Sequence, residues 1–271
     1  MWHWKNIYRG MIMGASDVVP GVSGGTIAVV LGIYDQLIEA INGFFSKEWR
    51  RHLKFLIPLG IGIGTSILLL ANLIEWLFEH HPGPTKYFFL GLIIGVIPYL
   101  THKADMKNSF KSNHYVLLLI GAVLVGSMAF FQTSESAVIT NLTFGSYVML
   151  FFSGWLASSA MIVPGISGSF LLLIIGMYST IINAVANLNF GVILVVGLGI
   201  LCGIIFMSKL IEFFLENYTS GTFALIIGLV VGSIFVIFPG IPGDLGTWLL
   251  SIITLISGLL FAWFLGRVEY S

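Results

Sequence analysis

The chain has 271 residues, of which 57% are hydrophobic and only 9% charged, against roughly 25% charged in an ordinary soluble domain. That composition excludes a soluble enzyme, and twelve basic residues balanced by twelve acidic ones leave no net positive field to hold nucleic acid. The single cysteine, Cys202, lies in the apolar run VILVVGLGILCGIIF, so neither a disulfide framework nor a cysteine metal cluster can form.

The amino-terminal MWHWKNIYRG places Lys5 and Arg9 ahead of an apolar stretch, as a signal peptide would. Residues 11–19 nevertheless contain Asp17, lead straight into Pro20-Gly21 and offer no small-x-small cleavage site, so the segment is read as part of the mature protein. The apolar segment 10–40 is interrupted by Val19-Pro20-Gly21-Val22-Ser23-Gly24-Gly25. Proline lacks an amide proton and glycine is conformationally loose, so a helix must break there. Three spans follow at 55–78, 87–100 and 115–132. A second broken segment, 146–184, is interrupted by Val163-Pro164-Gly165-Ile166-Ser167-Gly168-Ser169, and spans at 190–215, 222–238 and 247–265 complete the chain. A bilayer core takes about 20 apolar residues per helix, and tilt or local thinning accommodates the shorter runs. Tryptophans such as Trp2, Trp4 and Trp49 suit interface anchors.

The two halves are copies of one another. Pro164 − Pro20, Ser167 − Ser23, Gly176 − Gly32 and Tyr178 − Tyr34 all give 144, while Glu212 − Glu75, Gly228 − Gly91 and Gly232 − Gly95 give 137. The missing seven residues fall naturally in the basic loop around 47–54. Cytoplasmic loops carry the excess lysine and arginine. If each broken segment is a hairpin that enters and leaves on one side, then Lys5, Arg9, Lys47, Arg50, Arg51, Lys54, Lys103, Lys107 and Lys111 all fall inside. Only Lys86 is misplaced. One hairpin plus three crossings is an odd number, so the second repeat is inverted. The expected fold is an all-α integral membrane protein: repeat 1–140 and inverted repeat 141–271, each a re-entrant hairpin followed by three transmembrane helices, with both termini cytoplasmic. Freed backbone at membrane depth is tolerated only against protein or a polar cavity, and inverted-repeat transporters bind their substrates where interrupted helices meet near the midplane.

The candidate binding residues follow from the breaks. Pro20, Gly21, Pro164 and Gly165 make the hairpin turns; Ser23, Gly24, Gly25, Thr26, Ser167, Gly168 and Ser169 sit just before the second leg of each hairpin. Serine or threonine there caps a helix, and glycine lets a ligand approach free amides, a setting that suits phosphate or another anion. The plainer alternative is that Pro-Gly-x-Ser-Gly merely turns the chain.

Ionisable groups inside spans are costly and mark function or pairing. Asp17, whose counterpart is Met161, is a candidate proton acceptor or polar neighbour of the site, or else an interfacial aspartate or one that bonds its own turn amides. Lys209 either neutralises a phosphate or snorkels to the interface and pairs with Glu212. Glu75 and Glu212 are a repeat-related pair near span ends and are candidates for packing anchors or for a coupling-ion path. No metal-ligand spacing, Walker loop, nucleophile elbow or cofactor fingerprint occurs, so neither a metal nor a cofactor is expected.

The motifs Gly14-Ala15-Ser16-Asp17-Val18-Val19-Pro20-Gly21-Val22-Ser23-Gly24-Gly25-Thr26 and Val163-Pro164-Gly165-Ile166-Ser167-Gly168-Ser169 resemble those of the polyprenyl-phosphate transporter family called PopT. Size, duplication and hairpins match over essentially the whole chain. The resemblance implies a non-enzymatic bacterial plasma-membrane translocase that returns undecaprenyl phosphate, the carrier lipid of cell-wall synthesis, from the outer to the inner leaflet. A proton or another ion is then a candidate coupling partner. Undecaprenyl-pyrophosphate phosphatases of another inverted-repeat type carry Pro-Gly-x-Ser-Arg-Ser. Here Gly24 or Gly168 stands at the arginine position, and glycine supplies no side-chain charge for phosphoryl transfer. A small-anion transporter would use the same helix ends and differs in lacking a side opening to the bilayer.

Overall fold

The computed structural model describes residues 2–17, 23–44, 46–131, 137–139 and 142–270. Among them the chain is helical throughout. Helix α1 (Lys5–Asp17), α2 (Gly24–Val30) and α3 (Tyr34–Gly43) precede the long α4 (Trp49–His80) and α5 (Pro82–Lys103). A short α6 (Met106–Ser109) leads to α7 (Ser112–Ser127), which closes in a single 3-10 turn. The second half runs through α8 (Phe144–Ile162), α9 (Gly168–Ile175), α10 (Tyr178–Ala186), α11 (Phe190–Asn217), α12 (Thr219–Ile237) and α13 (Leu245–Tyr270). Seven of these are long and apolar enough to cross a membrane: α4, α5, α7 with its 3-10 turn, α8, α11, α12 and α13. The chain is a multi-pass membrane protein.

Six of the seven fall on the expected spans, and α8 is the addition. Its 19 residues give a length of about 28 Å at 1.5 Å per residue, enough to cross by itself, whereas the 13 residues of α1 reach only about 20 Å. The expected second hairpin thus has one leg of full membrane length. The far leg, expected as one helix, is itself broken, with α9 and α10 meeting at 109°. Gly176 sits at that corner with φ 79°, and Gly32 turns the α2–α3 corner with φ 66°. Both lie in the left-handed region that glycine enters without a Cβ penalty.

Four helix pairs hold the bundle together: α1 with α4, α8 with α11, α5 with α13, and α7 with α12. Each is seated on glycine. A Cβ on Gly10 would strike the Leu59 carbonyl oxygen, and one on Gly62 the Ile7 oxygen; the same holds for Gly154 against Val196 and Gly199 against Phe151. Each residue of the first set becomes its partner in the second at the offsets of 144 and 137. Likewise Gly91 seats on the Leu255 carbonyl and Gly258 on that of Phe88, while Gly228 seats on Leu118 and Gly121 on Leu225. The offset of 137 exchanges these contacts as well, so α5 against α13 repeats as α12 against α7. In hydrocarbon there is no hydrophobic drive between helices, so such close backbone approach is the main source of association.

The register of these contacts rises together along both partners, so each of the four pairs is parallel. Parallel neighbours on one chain require a return between them. α2 and α3 lie between α1 and α4 in the chain, and α9 and α10 between α8 and α11. One end of the bundle therefore gathers the starts of α1, α4 and α7 and the end of α5, with the basic loops among them. There the His3 amide donates to the Lys54 carbonyl at 3.2 Å, Lys103 pairs with Asp35, and Arg51 lies 3.5 Å from Glu39. Lys86 belongs to the opposite end, where the Tyr87 hydroxyl donates to the Gly240 carbonyl at 3.1 Å.

Replacing Gly91 by alanine is expected to lower the thermal midpoint in detergent, because overpacking of a tight seam costs roughly 1–3 kcal/mol. Gly64, with nothing within 4 Å of its would-be Cβ, is the control, and its alanine variant should melt at or above the wild-type temperature.

Candidate functional site

The break after Asp17 frees the first amides of α2, and two side chains take them up. Ser23, in extended backbone at φ −119° and ψ 146°, caps the helix by accepting from the Thr26 amide. Asp17 Oδ1 accepts from the Gly24 amide at 2.6 Å. Asp17 thus bonds the turn amides of its own hairpin, the plainer of the two readings its position allowed. Gly24 has no room for a side chain, since a Cβ would lie 2.9 Å from both carboxylate oxygens. Pro20 and Gly21 lie outside the described residues.

In the second cluster Pro164 and Gly165 form a turn, with Gly165 at φ 90°. Ser167 caps α9 and accepts from the Phe170 amide at 3.4 Å; its hydroxyl lies 3.0 Å from that of Ser169. Gly168 packs on α8, where a Cβ would come within 2.5 Å of the Ala157 carbonyl oxygen.

The two clusters meet. The Gly165 amide donates to Thr26 Oγ1 at 2.8 Å, and Thr26 Oγ1 lies 2.9 Å from Ser23 Oγ. A Cβ on Gly25 would come within 2.7 Å of the Ile162 carbonyl oxygen, and the Tyr34 hydroxyl donates to that oxygen at 3.3 Å. Freed backbone of the second break is therefore satisfied by side chains of the first. The junction is asymmetric: at the offset of 144, Thr26 corresponds to Phe170 and Asp17 to Met161. Ser23 and Thr26 are each only 1% exposed, so this polar knot is internal. Sequence reasoning placed Thr26 in the site but not its cross-repeat bond, and it used Tyr34 only as a marker of the duplication.

A cavity of about 820 Å³ opens from this junction. Val163, Pro164 and Tyr34 line its deep end; α7, the second half of α11 and the first half of α12 form its walls. Gly165 packs against Leu229, which also lines the cavity. From Thr219 at the start of α12 to Leu229 is about 15 Å of helix, half the roughly 30 Å of a bilayer core. The outer rim is polar, with Lys111, Asn113, His114 and Asn217, and the walls are apolar, with Leu117, Phe214 and Leu225. Although α7 and α11 both line the cavity, they form no packed interface with each other. Leu210 and Phe214 on the α11 side are partly exposed, at 36% and 42%.

The remaining candidate residues stand apart. Lys209 is exposed on α11, outside the cavity lining. Among the described residues it makes no ion pair with Glu212; Glu212 Oε2 accepts from Asn42 Nδ2 at 2.8 Å, and Asn42 Oδ1 in turn accepts from Ser208 at 2.7 Å. The network fastens α3 to α11. Glu75 lies within α4, and its side chain is outside the described residues. Among the described residues no group of histidine, cysteine, aspartate or glutamate is arranged to hold a metal ion.

The fold and junction define a membrane protein built around two broken helical segments, and sequence comparison identifies which one. Residues 13–244 match the model of the VCA0040-like, undecaprenyl phosphate translocase-like family. The chain is 43% identical over 273 aligned positions to the polyprenyl-phosphate transporter of Staphylococcus aureus, covering 98% of this chain and 96% of that protein. It is 37% identical over 244 positions to the polyprenyl-phosphate transporter of Vibrio cholerae serotype O1, covering 85% and 76%. No solved structure matches. The chain belongs to the undecaprenyl phosphate translocase-like family, as its motifs led us to expect.

Thr26→Val keeps the shape of the junction and removes the acceptor for the Gly165 amide. An unpaired buried donor costs roughly 1–3 kcal/mol, so the variant should fold with a lower thermal midpoint and faster hydrogen exchange around residues 163–167. Wild-type exchange there would refute the role given to this bond.

Proposed function

We propose that the chain is a translocase for polyprenyl phosphate, with undecaprenyl phosphate the lipid carried from the outer to the inner leaflet of the bacterial plasma membrane. The observation that carries this reading is the cavity running from the junction of the two breaks to the basic end, walled by α7, α11 and α12. A lipid phosphate flips slowly because taking such an ion into hydrocarbon costs of order 20 kcal/mol by idealised Born solvation, whereas its tail can stay in the bilayer. A polar junction and a basic rim for the head, joined by a cavity whose apolar walls take the first part of the tail, meet that need. A carrier of small free anions requires no such opening, and the names of the two relatives favour the lipid.

In this reading residues 1–140 and 141–271 are inverted repeats, each with a re-entrant hairpin. The exchange of glycine contacts and the parallel helix pairs support the duplication and the return of the chain. The basic end is cytoplasmic, and both termini lie on that side. Phosphate is received between Ser23, Gly24, Gly25 and Thr26 on one side and Ser167, Gly168 and Ser169 on the other, and rocking of the repeats exposes that junction alternately. Asp17 holds the Gly24 amide until the phosphate takes its place, which makes its carboxylate the group through which a proton would be coupled. Lys209 and Glu212 lie off the cavity and are left out of the path. No bond is broken in this scheme.

The test uses the purified protein in liposomes carrying undecaprenyl phosphate, with leaflet distribution followed beside release of inorganic phosphate from undecaprenyl pyrophosphate. Leaflet movement without phosphate release is expected, and the variant carrying both Ser23→Ala and Ser167→Ala should fold yet lose transport. Phosphate release would point to a phosphatase, and wild-type turnover in the double variant would defeat the site.

A further inference from the structure

The cavity carries a charge that alternate exposure of the junction does not explain. Lys111 and His114 stand at its rim, and none of the residues lining it is an aspartate or glutamate. Four acidic groups of this end, Asp35, Glu39, Glu212 and Glu216, line a separate hollow of about 350 Å³. α11 is the partition. It turns Leu210, Ile211 and Phe214 to the basic cavity and Glu212, Leu215 and Glu216 to the acidic one, as 3.6 residues per turn allow.

The two basic groups are disposed as donors. His114 Nδ1 accepts from the Lys111 backbone amide at 3.1 Å, which leaves the proton of the neutral ring on Nε2. Phe110 steadies the ring edge-on, with centroids 5.4 Å apart. Among the described residues no ion pair engages the Lys111 ammonium. A volume of about 820 Å³ falls within the roughly 300–1,000 Å³ of small-ligand sites. A cationic rim over apolar walls fits an amphiphile with an anionic head, and the gap between α7 and α11 fits one whose tail is longer than the cavity.

Resting on the transport reading, we propose that this cavity is a second lipid-phosphate station, distinct from the central junction, where the head group is held at the basic end of its path. Lys111 and the Nε2 proton of His114 bind the oxygens of a prenyl monophosphate. Its first isoprene units lie against Leu117, Phe214 and Leu225, and the remaining tail passes out between α7 and α11. The acidic hollow behind α11 keeps carboxylates away from the phosphate.

The experiment measures binding of farnesyl monophosphate, farnesol and inorganic phosphate to the full chain in nanodiscs. A farnesyl monophosphate with a diazirine at its far end maps the tail, and the variant carries Lys111→Gln with His114→Gln. Both residues lie at the rim of the fold, and circular dichroism and gel filtration check that the variant is intact. The variant should bind farnesyl monophosphate about tenfold more weakly or worse with farnesol binding unchanged, and the photolabel should fall on α7 and α11. Unchanged affinity, or label confined to other helices, overturns the station. Inorganic phosphate binding the wild type as tightly as the prenyl ester also overturns it, in favour of a free-anion site. Leaflet transport separates the two proposals. If the wild type moves no lipid yet passes the binding test, the transport reading fails and the station stands. If transport proceeds unchanged in the variant with no loss of binding, the station fails and the transport reading stands.

Discussion

Backbone that leaves a helix at membrane depth has no water to turn to, and every amide freed there must find a partner within the protein. This chain breaks two helical segments, and it meets the requirement by turning the breaks toward each other. The Gly165 amide is answered by Thr26, the Gly24 amide by Asp17, and the Ile162 carbonyl by Tyr34. The place where the chain is least able to satisfy itself is thus the place where its halves are joined. Any substrate group that replaces one of these internal partners exchanges one set of hydrogen bonds for another, which makes the junction a suitable place for a polar head to pass.

The second constraint is contact distance. Four parallel helix pairs come together on glycines whose missing Cβ atoms would collide with carbonyl oxygens of the partner. The offsets of 144 and 137 exchange these contacts pair by pair, α1–α4 with α8–α11 and α5–α13 with α12–α7. The α5–α12 contact joins the halves at the centre, while α7 and α13 each dock on a helix of the opposite half. Such cross-docking packs α7 on α12, and the cavity lies between α7, α11 and α12. The packing that holds the bundle therefore also determines where it opens.

Much of this was legible in the sequence. Spans follow from length and apolarity, and the break before α9 from Pro164-Gly165. Two features escaped for physical reasons. Residues 144–148 extend α8 beyond the part that aligns with α1, and the extension gives it the length to cross. The cavity is assembled from residues more than a hundred positions apart, such as Lys111 and Phe214, and one-dimensional periodicity holds no record of that proximity. Within the site, the hairpin serines were evident as helix caps, whereas the Thr26 bond to Gly165 was not, since the repeat equivalent of Thr26 is a phenylalanine and the contact has no symmetric copy. Lys209 and Glu212 drew attention as charges in an apolar helix. Their placement depends on which face of α11 each occupies, and that face is set by the partners α3 and α8.

The most direct test of a head-group path with a lateral opening is to close the opening. With Cys202, which is exposed, replaced by serine, cysteines at Leu117 on α7 and Leu210 on α11 allow a cleavable bifunctional thiol reagent to bridge the two helices in liposomes. Movement of undecaprenyl phosphate between leaflets should stop on bridging and resume on cleavage, while single-cysteine proteins treated alike keep transporting. Undiminished transport with the helices bridged would contradict the account.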